Sequence, residues 1–408
     1  MGLLSFSNTK RGRYFSFSLT LFTVYTLTNL LRWLPVMQVQ LPIIALCYVM
    51  LLMSCNQASS NRLLGLTLVL LAFDYIFIFL QGGMSSGSVQ NAIGANYTIF
   101  VSFFPLLYVA SGNFDLINRR KFLQFIYVLV FITALTTIYG TLHYETPCRE
   151  LATPDNVEID RLYKAQNIGG YGFIYFLVLF TPVVLKDLLA KKKLLLIVLL
   201  AVMAYCIFRA EYTTAMLLFI VAFALSFIVN SKNQVFRIFM IIAVVVFAIS
   251  FESILEWASS SVFDYSFTMG RRLELISDYN EYGEATDDMG IRQYLYLLSL
   301  KAFLQNPLFG GLVSSESKLG GHSEILDYLG HSGFVGILVL LFLLNYIRKY
   351  TPVSRINFKD PFIKSVMIVA LIMAAINTFL SPELYFAILI VPMLLNEDGQ
   401  STKQTIYG

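Results

Sequence analysis

Of the 408 residues, 57% are hydrophobic and 13% charged, whereas a soluble domain carries roughly 25% charged residues. A mean hydropathy of +0.70 and the gathering of apolar residues into long runs exclude a water-soluble enzyme, a disordered chain and a secreted disulfide scaffold. The formal charge of +4 does not point to nucleic acid, because the basic residues occupy short loops between apolar runs; stretches such as Leu194 to Phe208 also lack the alternation of a barrel strand.

Lys10, Arg11 and Arg13 precede a first apolar run, Tyr14 to Leu31, that lacks a small-residue cleavage site and is expected to remain as the first span. Windows of about twenty residues predict further spans. The first half of the chain gives 14–33, 36–54, 62–80, 93–111, 122–141 and 168–187. The second half adds 194–208, 211–229, 238–257, 332–350, 362–380 and 382–396. The expectation is an all-α polytopic integral membrane protein of about twelve transmembrane helices, a single transmembrane domain over residues 1–408.

The basic loops set the orientation. Arg119 to Lys121, Lys186, Lys191 to Lys193, Lys232, Arg237, Arg348, Lys349, Arg355 and Lys359 all fall on one side, which the positive-inside rule makes cytoplasmic together with both termini. Two connections on the opposite side, 142–170 and 258–331, exceed simple turns, and loops of that length are usually functional or disordered. Cys47, Cys55 and Cys206 lie in or beside apolar segments and Cys148 stands alone in the first long loop, so no structural disulfide is expected.

Within the second long loop, Ile291, Leu295, Leu298 and Ala302 recur at helical spacing, after Asp287 or Asp288 as a cap and before the stop Asn306-Pro307. This predicts an amphipathic helix at the membrane surface or against the bundle. The same loop holds Arg271, Arg272, Arg292, Lys301 and Lys318 with His322 and His331. Arg209, in Cys-Ile-Phe-Arg-Ala-Glu-Tyr between two apolar runs, is a functional candidate because an arginine so near hydrocarbon is costly; pairing with Glu211 at the interface is the plainer alternative. Asp74 lies toward the outer end of its span, as a counter-ion or a helix–helix hydrogen bond. No nucleotide-binding, zinc-protease or paired-cysteine motif is present, and His322 and His331, nine residues apart, fall on opposite sides of a continuous helix. Neither a metal nor another cofactor is expected.

Arg292 through Gly311, with Asn-Pro-Leu-Phe-Gly, followed by His322-Ser-Glu-Ile-Leu-Asp-Tyr-Leu-Gly-His-Ser-Gly-Phe-Val-Gly336, resembles the O-antigen polymerase and ligase superfamily. Phe208-Arg209-Ala210 is similar to the small outer-face arginine motif of that family. The resemblance implies a GT-C-like layout, with short amphipathic helices in the long outer loop. It also implies glycosyl transfer on the outer face of the bacterial inner membrane, moving a glycan from undecaprenyl pyrophosphate to a sugar hydroxyl of a lipid-linked repeat unit. On that reading His322 is the general base, Arg209 and Arg292 hold pyrophosphate, and Arg271, Arg272, Tyr296, Glu324 and Asp74 are substrate-binding candidates.

Ligases usually carry asparagine after the histidine, where Ser323 stands, and the arginine motif commonly has serine before and glycine after, where Phe208 and Ala210 stand. Polymerases vary more, so the resemblance favours a polymerase over a ligase that delivers glycan to lipid A core. A flippase or transporter would place charges near the midplane and on broken helices, whereas here they gather outside, apart from Asp74. The partners implied are the lipid-linked oligosaccharides, the bilayer, and the chain-length regulator and flippase of the same pathway, with no nucleic acid.

Overall fold

The computed structural model describes residues 9–80, 89–152, 156–230, 288–312, 321–350 and 356–395, with the single positions 234 and 319. The described residues form helices and connections without a strand, an all-α arrangement. In chain order the helices are α1 (Lys10–Leu27), α2 (Leu41–Ser54, entered through a π turn), α3 (Gln57–Leu80), α4 (Val89–Ser111) and α5 (Arg119–His143). Two short helices, α6 (Pro147–Glu150) and α7 (Val157–Ala165), precede α8 (Tyr171–Lys191), α9 (Leu194–Arg209) and α10 (Thr213–Asn230). The described C-terminal part holds α11 (Asp288–Gln305), α12 (Glu324–Tyr350), α13 (Pro361–Ile376) and α14 (Pro382–Leu395, with a π turn inside it).

Every predicted span except 238–257, which lies outside the described residues, falls on one of these helices. Among the described residues, four segments are long and apolar enough to cross a membrane: Val36–Ser54, Arg119–His143, Tyr171–Lys191 and Glu324–Lys349. Phe100–Ser111, Leu194–Arg209, Thr213–Val229, Pro361–Ile376 and Pro382–Leu395 are shorter apolar helices.

Side-chain caps start four of the helices. Thr9 accepts the amide of Gly12 at 3.0 Å, Asn118 that of Lys121 at 3.0 Å, Asn156 that of Glu158 at 2.8 Å and Asp360 that of Phe362 at 2.9 Å. Helix α8 is the axis of the bundle: Phe173 through Leu185 are buried without interruption, and α9, α10, α13 and α14 pack around it. A helix apolar all round belongs inside. Helix α1 is instead joined by polar contacts, with Ser18 Oγ donating to the Cys47 carbonyl at 2.6 Å and lying 2.8 Å from the Tyr108 hydroxyl.

The helices alternate in direction, which separates two ends. At one, Asn29 follows α1 and its amide donates to Asn167 at 2.8 Å, while Tyr171 donates to the Thr378 carbonyl at 2.8 Å. At the other, Lys186 pairs with Asp360 at 2.6 Å and Asn113 donates to Ser54 at 2.9 Å. The predicted loop 142–170 is ordered on the first end by α6 and α7. Of the loop 258–331, Arg271 and Arg272 lie outside the described residues.

The helix predicted before Asn306 is present as α11, and of its predicted apolar stripe Ala302 is buried and Leu295 and Leu298 are half-buried. Tyr294, Leu297 and Leu304 are exposed, whereas Ser299 and Ala302 are buried. The small residues face α12, where a Cβ on Gly330 would lie 2.5 Å from the Ser299 carbonyl oxygen. Close backbone approach through small residues is a packing device of membrane helices, and it turns the large apolar side chains outward.

The two halves of the sequence pattern also form one unit. Helix α12 breaks at Gly333 (φ 58°, ψ −154°), and beyond the break Phe334 and Val335 donate their amides to the carbonyls of Pro307 and Leu308 at 2.8 and 3.0 Å. A Cβ on Gly333 would sit 2.5 Å from the Pro307 carbonyl oxygen, so the Asn-Pro-Leu-Phe-Gly turn requires a glycine opposite it.

Candidate functional site

A cavity of about 650 Å³ opens at the end of the bundle that carries loop 142–170. Its size falls within the ~300–1,000 Å³ of small-molecule sites. One wall comes from the end of α1 with Asn29 and Arg32, and a second from Arg149, Leu151, Ala152 and Lys164. The start of α8, Gly169 to Phe173 with Tyr175, meets Tyr212, Gly321, His322 and the segment around Asn377 to Glu383.

His322 enters the cavity from the turn before α12, and the backbone on both sides of it is fixed. The Asp327 carboxylate accepts the amide of Gly321 at 3.1 Å and that of Ser323 at 3.0 Å, and also the hydroxyl of Ser299 from α11. Ser323 acts as N-cap, accepting the Leu326 amide at 3.2 Å while donating to the Ala375 carbonyl at 2.6 Å. Gly321 takes φ +73°, the left-handed conformation that glycine adopts without strain.

The cations are held differently. Arg32 pairs with the nearly buried Glu383, which also accepts the Ser381 hydroxyl, and its guanidinium lies over the Tyr25 ring at 5.3 Å. Gly172 makes room for that pair, since a Cβ there would lie 2.5 Å from a Glu383 carboxylate oxygen. Arg149 stands over the Tyr212 ring at 5.9 Å, and the Tyr212 hydroxyl donates to the Cys148 carbonyl at 2.7 Å. Lys164 pairs with Asp160 along α7 at 2.7 Å. Tyr171, Tyr175 and Tyr212 form an aromatic group, with Tyr171 and Tyr175 4.5 Å apart and both about 6 Å from Tyr212. Its rings offer apolar faces beside polar tips. Cys148 is buried, and desolvation pushes its thiol up to about 12.

Among the sequence-derived candidates with described side chains, His322 lines this cavity and Arg209, Tyr296 and Glu324 do not. Arg209 ends α9 at the same end of the bundle and donates to the Thr141 carbonyl. Tyr296 donates to the Ile376 carbonyl at 2.7 Å, and Glu324 accepts the Phe379 amide at 3.0 Å, so both brace the segment that borders the cavity. Arg292 lies in α11 and Asp74 in α3, with side chains outside the described set. His331 is buried, two residues before the break at Gly333.

Sequence reasoning passed over Arg32, Arg149, Lys164 and Glu383. The rule that singled out Arg209, a charge at the edge of an apolar run, applies equally to Arg32 in Leu-Leu-Arg-Trp-Leu and to Glu383 in Ser-Pro-Glu-Leu-Tyr. Arg149 and Lys164 carry no local signal beyond their place in a long loop.

No protein-family model matches this chain, and no curated protein or solved structure compared with it matches either.

Proposed function

We propose that the chain is a bacterial polysaccharide polymerase, making O-antigen, capsule or exopolysaccharide from units linked to undecaprenyl pyrophosphate. The bond between the donor's anomeric carbon and the pyrophosphate oxygen breaks, and the pyrophosphate leaves with the electron pair. A sugar hydroxyl of a second lipid-linked unit forms the new glycosidic bond. Its proton passes to the imidazole of His322, the side chain whose titration range suits a base near neutral pH.

The observation that carries this reading is His322 in the wall of a cavity whose described lining also holds the cationic side chains Arg32, Arg149 and Lys164, with Arg32 paired to Glu383 and Lys164 to Asp160. A base beside arginine and lysine side chains suits an acceptor hydroxyl meeting an anionic leaving group. Arg209 and Arg292 are assigned to the pyrophosphate through the planar fork of arginine. The chain crosses the inner membrane about twelve times with both termini cytoplasmic. His322 and the loops 142–170 and 258–331 face the outer side, where the chain-length regulator and flippase of the pathway are neighbours.

Purified protein in liposomes with lipid-linked repeat units, with and without lipid A core, tests the reading. A polymerase makes a ladder of products without core. A single transfer that requires core identifies a ligase, and movement across the bilayer without new bonds identifies a transporter; either result overturns the proposal.

A further inference from the structure

We infer that the tyrosine group at the start of α8, with Tyr171 as its presenting ring, is the subsite of the cavity that receives the acceptor sugar, a neutral pyranose stacked on the aromatic face. The inference rests on the polymerase reading for the role of that sugar, whereas the subsite itself rests on geometry. Tyr171, Tyr175, Tyr212 and His322 line one cavity. Tyr171 and Tyr212 line it as half-buried rings, and the buried Tyr175 packs against both, with ring centroids 4.5 and 6.0 Å away. The hydrogen bonds at the ring tips fix the group. Tyr171 donates to the Thr378 carbonyl at 2.8 Å, Tyr212 donates to the Cys148 carbonyl at 2.7 Å, and Tyr175 accepts from the Asn377 side-chain amide at 3.0 Å. With the tips tied down, what the group turns to the cavity is aromatic surface.

The same segment sets the rings in register with the base. Glu324, two residues after His322, donates its amide to the Asn377 carbonyl at 3.1 Å, and Ser323 donates to the Ala375 carbonyl at 2.6 Å. Residues 375–378 therefore hold the turn of His322 through their carbonyls and the tips of Tyr171 and Tyr175 through Thr378 and Asn377. That puts a stacking surface and a general base in a fixed relation, as a base must lie within reach of one chosen hydroxyl. The chemistry selects a sugar. The C–H face of a pyranose carries partial positive charge and meets the negative face of an aromatic ring, while its hydroxyls turn to polar groups. Asn377, Thr378 and Ser381 line the same cavity, and Arg32 and Lys164 in its wall are each paired with a carboxylate. A prenyl chain would set those polar groups against hydrocarbon, and a pyrophosphate is repelled by the negative ring face.

The test uses the full chain in lipid nanodiscs and saturation-transfer NMR with the methyl β-glycosides of glucose, galactose and N-acetylglucosamine, and farnesol as an apolar competitor. At least one glycoside should receive saturation from the protein, strongest at the C–H protons of one ring face, and farnesol should not displace it. Tyr171→Ala should weaken that binding about fivefold, as expected for loss of a stacked ring, and Tyr171→Leu, which keeps bulk without an aromatic face, should do the same. Tyr171→Phe should bind within about twofold of the native chain. The proposal is overturned if no glycoside binds the native chain, if farnesol displaces the glycoside, or if the alanine and leucine variants bind normally. It is also overturned if Tyr171→Phe loses as much as Tyr171→Ala, which would mark the bond to Thr378 rather than the ring. Ladder synthesis in the same preparations separates this result from the polymerase reading, and there Tyr171→Ala should raise the acceptor KM more than it lowers kcat. Normal ladders with unchanged glycoside binding in the alanine and leucine variants reject the subsite alone, whereas binding that depends on Tyr171 without any ladder keeps the subsite and rejects the polymerase.

Discussion

Asp327 holds His322 through the backbone: one carboxylate accepts the amides of Gly321 and Ser323, the residues on either side of the histidine. The same carboxylate accepts the Ser299 hydroxyl, which ties the turn to α11. The histidine's position is therefore set by a group four residues into the following helix and by a neighbouring helix. Asp327→Ala should lower the rate of chain growth by about 10–100-fold, from the loss of hydrogen bonds to a charged carboxylate, worth ~1.5–3 kcal/mol, and from a misplaced base. KM should change much less than kcat. Ser299→Ala, which removes one of the three contacts, should have a smaller effect in the same direction. Steady-state kinetics of both variants check this ordering.

Much of the architecture was legible in the sequence because membrane spans are written as apolar runs, and the described helices other than α6, α7 and α11 fall on those runs. The helix between Asp288 and Asn306 was legible for the same reason, through its spacing and its Asn-Pro stop. What the spacing did not carry is the burial of Ser299 beside that stripe. Ala302 is buried and Leu295 and Leu298 are half-buried as the stripe predicts, and Ser299 is buried against Gly330 because small residues allow two helices to approach closely. At the site, His322 was recognisable beside its glycines and helix start. Arg149 and Lys164 reach the cavity only because α6 and α7 fold loop 142–170 over the end of the bundle, a long-range arrangement with no local pattern.

Cys148 is predicted to resist alkylation although it lies in a polar loop. It is buried, and desolvation raises its thiol to about 12, so little thiolate is present near neutral pH. Intact spheroplasts should show no reaction at Cys148 with an impermeant maleimide, and denatured protein full reaction. The linkage has a defined sign. With the folded pKa above the unfolded value of about 8.5, this thiol contributes stability below that pH, and the contribution is lost as pH rises toward 12. Cysteines placed at the exposed Glu158 and Lys192 report topology instead. Glu158→Cys should be modified from outside and Lys192→Cys should be protected; the reverse pattern would invert the orientation.

The Arg32–Glu383 pair is expected to be structural and to define the floor of the cavity. Glu383 is buried, so Glu383→Ala leaves the Arg32 charge without its partner and should destabilise the protein by about 3 kcal/mol. Replacing both residues by apolar ones should recover part of that loss. Gly172→Ala should destabilise as well, since its Cβ would meet the Glu383 carboxylate and the Ser381 hydroxyl. Thermal unfolding of the purified chain in a fixed detergent measures all three.

The central claim is that His322 removes the proton from the attacking hydroxyl, and the rate of ladder formation by His322→Ala in liposomes tests it most directly. General-base catalysis contributes roughly 10²–10⁴-fold. The variant should therefore lose at least one hundredfold in chain growth while its unfolding temperature and pyrophosphate binding stay at the native values. His331→Ala, at a buried position beside the helix break, should lose stability in preference to rate. A loss of less than tenfold in correctly folded His322→Ala would contradict the account.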